Sequence, residues 1–187
     1  HRLSGLRAEL IGRRVEMAQL EEAVDNLKLG KSSCFSIVGE AGTGKSRLVE
    51  EFRNSLDLKT IQWREGHSYG YSQNIPYFPL MDLLSRAWQI KEGAPPDQIR
   101  QKVEKGAQTT LGERKDLIPY VGSLYSLPYP ELAQVSPENW KARLHEAIHL
   151  ILANLCRHAP TIICIEDLHW ADPSSVELLR NILIDFK

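Results

Sequence analysis

Hydrophobic residues along the chain form two kinds of pattern: short continuous runs, and longer stretches at helical spacing. Almost continuous apolar runs at residues 34–38 and 161–165 are typical of strands buried on both faces of a parallel sheet, and residues 60–63 predict a further strand between them. Gly66 predicts the end of the second of these strands. Apolar residues that recur every three or four positions predict helices over residues 15–29, 45–58, 80–90, 97–108, 114–124, 137–157 and 174–186.

Strands that alternate with helices predict the α/β fold class, here a three-layer αβα arrangement with a mostly parallel sheet. The helices between the second and third strands would form an insertion. We interpret the whole chain, residues 1–187, as one domain with four segments. These are an N-terminal helical segment at 1–30, a first strand–loop–helix half at 31–67, the helical insertion at 68–135, and a helix, strand and closing helix at 136–187.

The composition is that of an ordinary globular protein, with 42% hydrophobic and 25% charged residues among 187. Its 23 basic and 24 acidic side chains give a net charge of −1, so no bulk attraction to nucleic acid or to a membrane is expected. No apolar run is long enough to cross a bilayer, and the three cysteines form no close pair, which favours a cytoplasmic protein with reduced thiols. The chain begins at His1, and we interpret it as a piece of a longer protein.

A glycine-rich motif follows the first predicted strand and precedes a helix. Residues 39–46, GEAGTGKS, match the phosphate-binding pattern GxxxxGK[ST] in full. Glycines let successive backbone N–H groups approach phosphates at the positive end of a helix. Lys45 would bring a mobile positive charge to the β- and γ-phosphates, and Ser46 a hydroxyl to Mg²⁺. The alternative is a glycine turn that only joins a strand to a helix.

Two carboxylates follow the third predicted strand. Glu166 and Asp167 come directly after an apolar run, and ligands of α/β sheets bind at the carboxyl ends of strands. Such a pattern is common on its own, but it gains weight downstream of a phosphate loop. We expect these acids to hold Mg²⁺ and to orient water.

Three motifs together carry a family resemblance. The runs LIGRRVE at 10–16, GEAGTGKSRLVEEF at 39–52 and IEDLHWADPSS at 165–175 resemble those of the STAND class of AAA-like P-loop ATPases. Within that class the chain looks most like the ATPase module fused to adenylate/guanylate cyclases and helical repeats, and LuxR-type regulators carry similar modules. Residues 71–84 and 136–148 extend the resemblance over nearly the whole chain.

The resemblance implies a set of site residues. Lys45, Glu166 and Asp167 would be catalytic, and Ser46, Glu166 and Asp167 would bind Mg²⁺. Arg13 would lie beside the adenine and ribose, the alternative being a solvated arginine at a helix start. The family more often has Asp before Glu at the acidic motif, so the division of roles between Glu166 and Asp167 stays open. The residues expected to bind ATP are Ile11, Gly12, Arg13, Gly39, Glu40, Ala41, Gly42, Thr43, Gly44, Lys45, Ser46 and Arg47.

Other patterns compete with this interpretation. His145, Glu146 and His149 spell HExxH on a predicted helix, the zinc-protease pattern, with a half-buried helix face as the favoured alternative. Cys34 and Cys164 are expected to be buried strand residues, and Trp170 a packing anchor. Four aromatic residues, which we expect to pack their own loop rather than stack on a base, are Tyr69, Tyr71, Tyr77 and Phe78.

The sequence therefore predicts an ATP-binding, ATP-hydrolysing module that serves as a nucleotide switch in a multidomain signalling protein. Its expected partners are ATP or ADP, flanking domains of the same polypeptide, and a second copy in a nucleotide-dependent manner. Alternatives are a non-hydrolysing nucleotide-binding scaffold, or the ATPase of a DNA-binding transcription regulator. Because the core ends one helix after the acidic strand, we expect a truncated core that binds nucleotide weakly and turns it over poorly.

Overall fold

The computed structural model describes residues 12–185, which form two compact units that divide between Lys59 and Thr60. The first unit contains helices α1 (Arg14–Lys28) and α2 (Lys45–Ser55). The elements of the second unit are β1 (Gln62–His67), α3 (Phe78–Ala87), α4 (Pro96–Leu111), α5 (Ile118–Ser123), α6 (Pro137–Leu155), β2 (Thr161–Glu166) and α7 (Pro173–Asp185). Most of the predicted helices are therefore found, with ends that shift by a few residues.

In the first unit, α1 and α2 contact each other. Leu20 and Val24 of α1 lie one turn apart and are buried, as are Leu48 and Phe52 of α2. Helix α1 ends at Lys28, and two residues later Gly30 has a φ of +79°, a conformation that glycine adopts without strain. This pair of helices carries the glycine-rich loop at the start of α2.

The predicted first strand, residues 34–38, is wrong for this structure. The segment forms no regular element and pairs with no strand among the described residues, and Val38 is 83% exposed. Cys34 is exposed as well, against our expectation of a buried strand residue. An apolar run becomes a strand only when a neighbouring strand satisfies its backbone N–H and C=O groups, and the run itself does not supply that neighbour.

The second unit contains a sheet of two parallel strands, the only sheet in residues 12–185, where three strands were expected. The register pairs Gln62 with Thr161 at one end and His67 with Glu166 at the other. Parallel pairing is thus confirmed, and β2 agrees with its predicted start. Strand β1 begins two residues later than predicted and continues through Gly66 instead of ending before it.

Helix α3 comes very close to β1 at Gly66, so a residue without a side chain is needed at this position of the strand. A Cβ atom on this residue would lie 2.3 Å from the backbone oxygen of Pro79 and 3.0 Å from Cβ of Leu83. Glycine in a strand interior often marks such a close backbone approach. The glycine that predicted a strand end is therefore a packing site.

The core of the second unit is mainly helical. Helices α4, α5 and α6 contact one another, and α3 packs on β1. Helix α6 begins as predicted, with Ser136 accepting a hydrogen bond from the Asn139 amide at 3.3 Å. The predicted helix at 114–124 is instead a 3₁₀ turn (Lys115–Leu117) followed by α5. The fully buried large side chains of this core include Leu80, Leu83, Leu84, Val103, Leu117, Val121, Leu144, Ile148, Ile151 and Leu178.

Substitution of Gly66 tests the close approach of α3 to β1. We expect Gly66→Ala to lower the free energy of unfolding in urea by about 1–3 kcal/mol, because the added methyl group meets backbone rather than a movable side chain. Gly70→Ala is the matched control, since a Cβ there meets nothing within 4 Å. Equal unfolding midpoints for the two variants would contradict this account.

Candidate functional site

The glycine-rich loop ends in left-handed backbone that carries the chain into α2. Gly42 and Gly44 have φ values of +80° and +82°, and Gly44 immediately precedes the helix. A residue with a Cβ is strained in this region, so the glycines of the motif are required by the conformation. Within the described chain, the amides of Gly42, Gly44 and Lys45 donate to no backbone carbonyl, so they are available as donors at a helix N-terminus.

Lys45 folds back over the loop that precedes it. Its ammonium donates to the backbone oxygens of Gly39 and Glu40, both at 2.8 Å. The Thr43 hydroxyl donates to the same Glu40 oxygen at 2.8 Å. Gly39 has no room for a side chain, because a Cβ would lie 2.8 Å from Oγ1 of Thr43. The side chains of Lys45 and Thr43 therefore stabilise the loop through hydrogen bonds to its own backbone.

Arg13 lies against this loop. Its guanidinium donates to the Thr43 backbone oxygen at 2.7 Å and to the Glu16 carboxylate at 3.0 Å. The structure thus brings Arg13, the residue predicted to lie beside the adenine and ribose, together with the phosphate loop within the first unit. Gly12 precedes it with a φ of +91°, and Ile11 lies outside the described residues.

The remaining predicted loop residues lie at the surface of the first unit. Ala41 and Ser46 are exposed, and Ser46 is in the first turn of α2. Arg47 forms an ion pair with Glu51 one turn along the helix, with 3.0 Å between Nε and Oε1.

In the second unit, the acidic motif lies at the end of β2. Glu166 is the last residue of the strand, and Asp167 follows in left-handed conformation with a φ of +54°. The Asp167 side chain is exposed and hydrogen-bonds to no other described residue. Trp170 is 39% exposed, with its ring 4.8 Å from that of His169, so the prediction of a packing anchor is wrong.

Two residues that no sequence motif singled out form a chain of contacts to Glu166: His67 lies beside Glu166, and Asp82 lies beside His67. His67, the register partner of Glu166, has Nε2 3.6 Å from the Glu166 carboxylate. The other ring nitrogen, Nδ1, lies 3.2 Å from Oδ2 of Asp82 on α3. The signal that could have found them is the register of two parallel strands, which a single sequence does not show.

Asp172 has a structural position although it belongs to the motif that carries the family resemblance. It is only 5% exposed and accepts hydrogen bonds from the Tyr77 amide at 3.1 Å and the Ser175 amide at 3.0 Å. The Ser175 hydroxyl donates to the same carboxylate. Asp172 therefore caps α7 and holds the start of α3 to it.

Side chains of the HExxH pattern on α6 form contacts with other residues of the protein. Glu146 forms ion pairs with Arg114 and Arg143, and its hydrogen bond to Arg114 is the main cause that lowers the pKa of its carboxyl group. His145 Nε2 lies 3.3 Å from the Tyr77 hydroxyl, and burial lowers the pKa of its imidazole. No group of three or more His, Cys, Asp or Glu in residues 12–185 is arranged to hold a metal ion.

The predicted self-packing of the aromatic loop is found. The rings of Tyr69 and Tyr71 stack at 5.2 Å, and Phe78 meets both edge-on. Tyr77 is buried in the helical core, with 3% of its surface exposed. Among the helices of the described chain, none is long and apolar enough to cross a membrane.

Comparisons with known proteins agree with the geometry of the loop. The family model described as AAA ATPase domain matches residues 9–184. An uncharacterized protein of Rhizobium meliloti (strain 1021) is 29% identical over 178 residues, which are 91% of this chain and 16% of that protein. The chain thus spans about a sixth of the length of this curated relative. No solved structure matches the chain.

Asp167 and Asp172, which both belong to the run IEDLHWADPSS, should differ in their effect on stability. We expect Asp172→Asn to lower the free energy of unfolding in urea by about 1–3 kcal/mol, because a buried acceptor of several hydrogen bonds is altered. Asp167→Asn serves as the control and should change it by less than about 0.5 kcal/mol, since the side chain is exposed and asparagine tolerates left-handed backbone. A larger loss of unfolding free energy in Asp167→Asn than in Asp172→Asn would contradict the structural role of Asp172.

Proposed function

The chain belongs to the AAA ATPase domain family, which makes it an AAA-like ATPase module of the P-loop type, and we propose that its glycine-rich loop binds the phosphates of ATP. The family match over residues 9–184 carries this proposal, and the shape of the loop supports it. Left-handed glycines, open amides and the start of an 11-residue helix form the kind of cradle that binds polyphosphates.

The residues present also suit Mg²⁺. Ser46, Glu166 and Asp167 offer hydroxyl and carboxylate oxygens, the hard ligands that this ion prefers. When bound with ATP, Mg²⁺ neutralises charge on the β- and γ-phosphates. In the proposed site Lys45 exchanges its loop carbonyls for phosphate oxygens, and the loop amides with Arg47 complete the cradle. Arg13 supports the loop through its hydrogen bond to the Thr43 oxygen. In the proposed site its guanidinium would also contact the nucleoside.

We assign the water-orienting role to Asp167. Its carboxylate is exposed and has no hydrogen-bond partner among the described residues, so it is free to accept a proton or to hold a water molecule. Glu166 is already in contact with His67 and is therefore better suited to hold the metal ion. This assignment addresses the Glu–Asp order that the family resemblance left open.

On a larger scale we propose that the module is the nucleotide switch of a longer signalling protein of the STAND class. The motif resemblance supports this, as does the length of the Rhizobium meliloti relative, of which the matched segment is only 16%. Nucleotide state would then change the association of flanking domains, or of two copies. In the protein from which the chain comes, hydrogen exchange that differs between ATP and ADP states in segments outside these residues would support the switch.

Lys45 should be required for nucleotide binding. We expect Lys45→Ala to abolish ATP binding in titration calorimetry, because the ammonium is the mobile charge of the loop. Lys31→Ala is the matched control: it removes an exposed lysine of the same unit that the motif does not include. Unchanged affinity in Lys45→Ala, or an equal loss in the control, would contradict the site.

Asp167 should be required for turnover and not for binding. We expect Asp167→Asn to lower the rate of ATP hydrolysis by a factor of about 100 or more, the usual size of a general-base contribution, with the dissociation constant of ATP changed less than about threefold. Phosphate release and calorimetry on the same preparations measure the two quantities. A wild-type protein that binds ATP without releasing phosphate would instead favour the non-hydrolysing scaffold.

A further inference from the structure

A line of paired polar side chains runs from the side of β1 to the end of β2. Arg86 on α3 pairs with Glu65, with 3.3 Å between Nη1 and Oε1, and with Asp82, with 2.9 Å between Nε and Oδ2. The Asp82 carboxylate lies 3.2 Å from Nδ1 of His67, and Nε2 of that ring lies 3.6 Å from Oε1 of Glu166. The imidazole therefore faces one carboxylate with each nitrogen.

Two hydrogen bonds from backbone amides hold His67 and Glu166 in place within this line. The His67 amide donates to Oδ2 of Asp82 at 2.9 Å, so the same carboxylate fixes the main chain and the ring. The amide of Ser68 donates to the Glu166 backbone oxygen at 3.1 Å, which continues the parallel ladder to the last residue of β2. The Tyr69 ring stacks near the His67 ring at 6.0 Å with an angle of 15° between planes.

We propose that His67 is a positioning residue for Glu166. The imidazole, held by Asp82, fixes the orientation of the Glu166 carboxylate at the end of β2. This inference rests on the proposed role of Glu166 in ATP hydrolysis. In residues 12–185, no other side chain pairs with Glu166, so removal of the ring leaves its carboxylate free to rotate.

The solvent exposure of the line distinguishes positioning from simple stabilisation. The side chains of His67, Asp82 and Glu166 are 21%, 17% and 25% exposed, so water reaches each group when a partner is removed. Partly exposed pairs of this kind add little to stability. A group that orients a metal-binding carboxylate nevertheless affects activity strongly, typically by a factor of 10 to 100.

The first test compares turnover with binding in the full chain. We expect His67→Ala to lower kcat for ATP hydrolysis by about 10- to 100-fold. The dissociation constant of ATP should stay within about twofold, because the phosphate loop is intact. His67→Gln keeps a polar group toward Glu166 and should recover part of the lost rate. Gln62→Ala is the control, a change at the opposite end of the same strand that should leave kcat unchanged.

The second test needs neither nucleotide nor turnover. In protein labelled with ¹⁵N-histidine, the His67 ring signals are identified by their loss in His67→Gln. We expect Asp82→Asn and Glu166→Gln each to shift these signals, because each variant alters the carboxylate that faces one ring nitrogen. Signals that respond to Asp82→Asn but not to Glu166→Gln would overturn the proposal, since His67 would then serve only α3.

The two tests separate this inference from the proposed function. If Lys45→Ala leaves ATP binding unchanged, the proposed function fails, and the ring signals still decide whether His67 and Glu166 are coupled. If Lys45→Ala abolishes binding but His67→Ala turns over ATP like Gln62→Ala, the inference alone fails. A parallel loss of affinity and rate in His67→Ala, without recovery in His67→Gln, would also overturn it, because that result indicates a structural role.

Discussion

The parallel pairing of β1 with β2 is the constraint on which the second unit depends. The paired residues of these strands are 99 positions apart in sequence, and each strand is only partly buried. Four α-helices lie in the connection between the two strands, and the register of the strands sets His67 opposite Glu166. Gly66 is part of the same constraint, because the backbone of α3 lies so close to β1 at this residue that a side chain would collide with it. Strand pairing thus determines both the packing and the surroundings of the acidic motif.

Helices and motifs could be predicted from the sequence because both depend on local spacing. The start of α6 was predicted by Ser136, and the glycine loop by a motif whose φ values only glycine adopts readily. Pairing depends on residues far apart, and there the prediction failed: residues 34–38 have the composition of a strand but no partner among the described residues. Gly66 was misinterpreted for the same reason, since its neighbour is a distant backbone oxygen.

For the candidate site, the sequence identified residue types but not their contacts. Asp167 and Asp172 are both part of the motif that carries the family resemblance, yet one is exposed and the other is buried as a helix cap. The HExxH pattern on α6 was equally suggestive, but Glu146 is held by two arginines. His67 and Asp82 were missed because no motif contains them. Burial and ion pairing decide between such interpretations, and neither can be derived from spacing alone.

The folded-back position of Lys45 has a consequence for the energetics of binding. Its ammonium already donates to two carbonyl oxygens of the loop, so the dipoles of these groups stabilise the positive charge. A ligand must therefore replace these dipoles with something more strongly negative before it gains any advantage. The free energy of association is a difference between two sets of hydrogen bonds, and it grows with the charge of the incoming group. At the proposed phosphate site, such a loop would discriminate against weakly charged anions through competition from its own backbone.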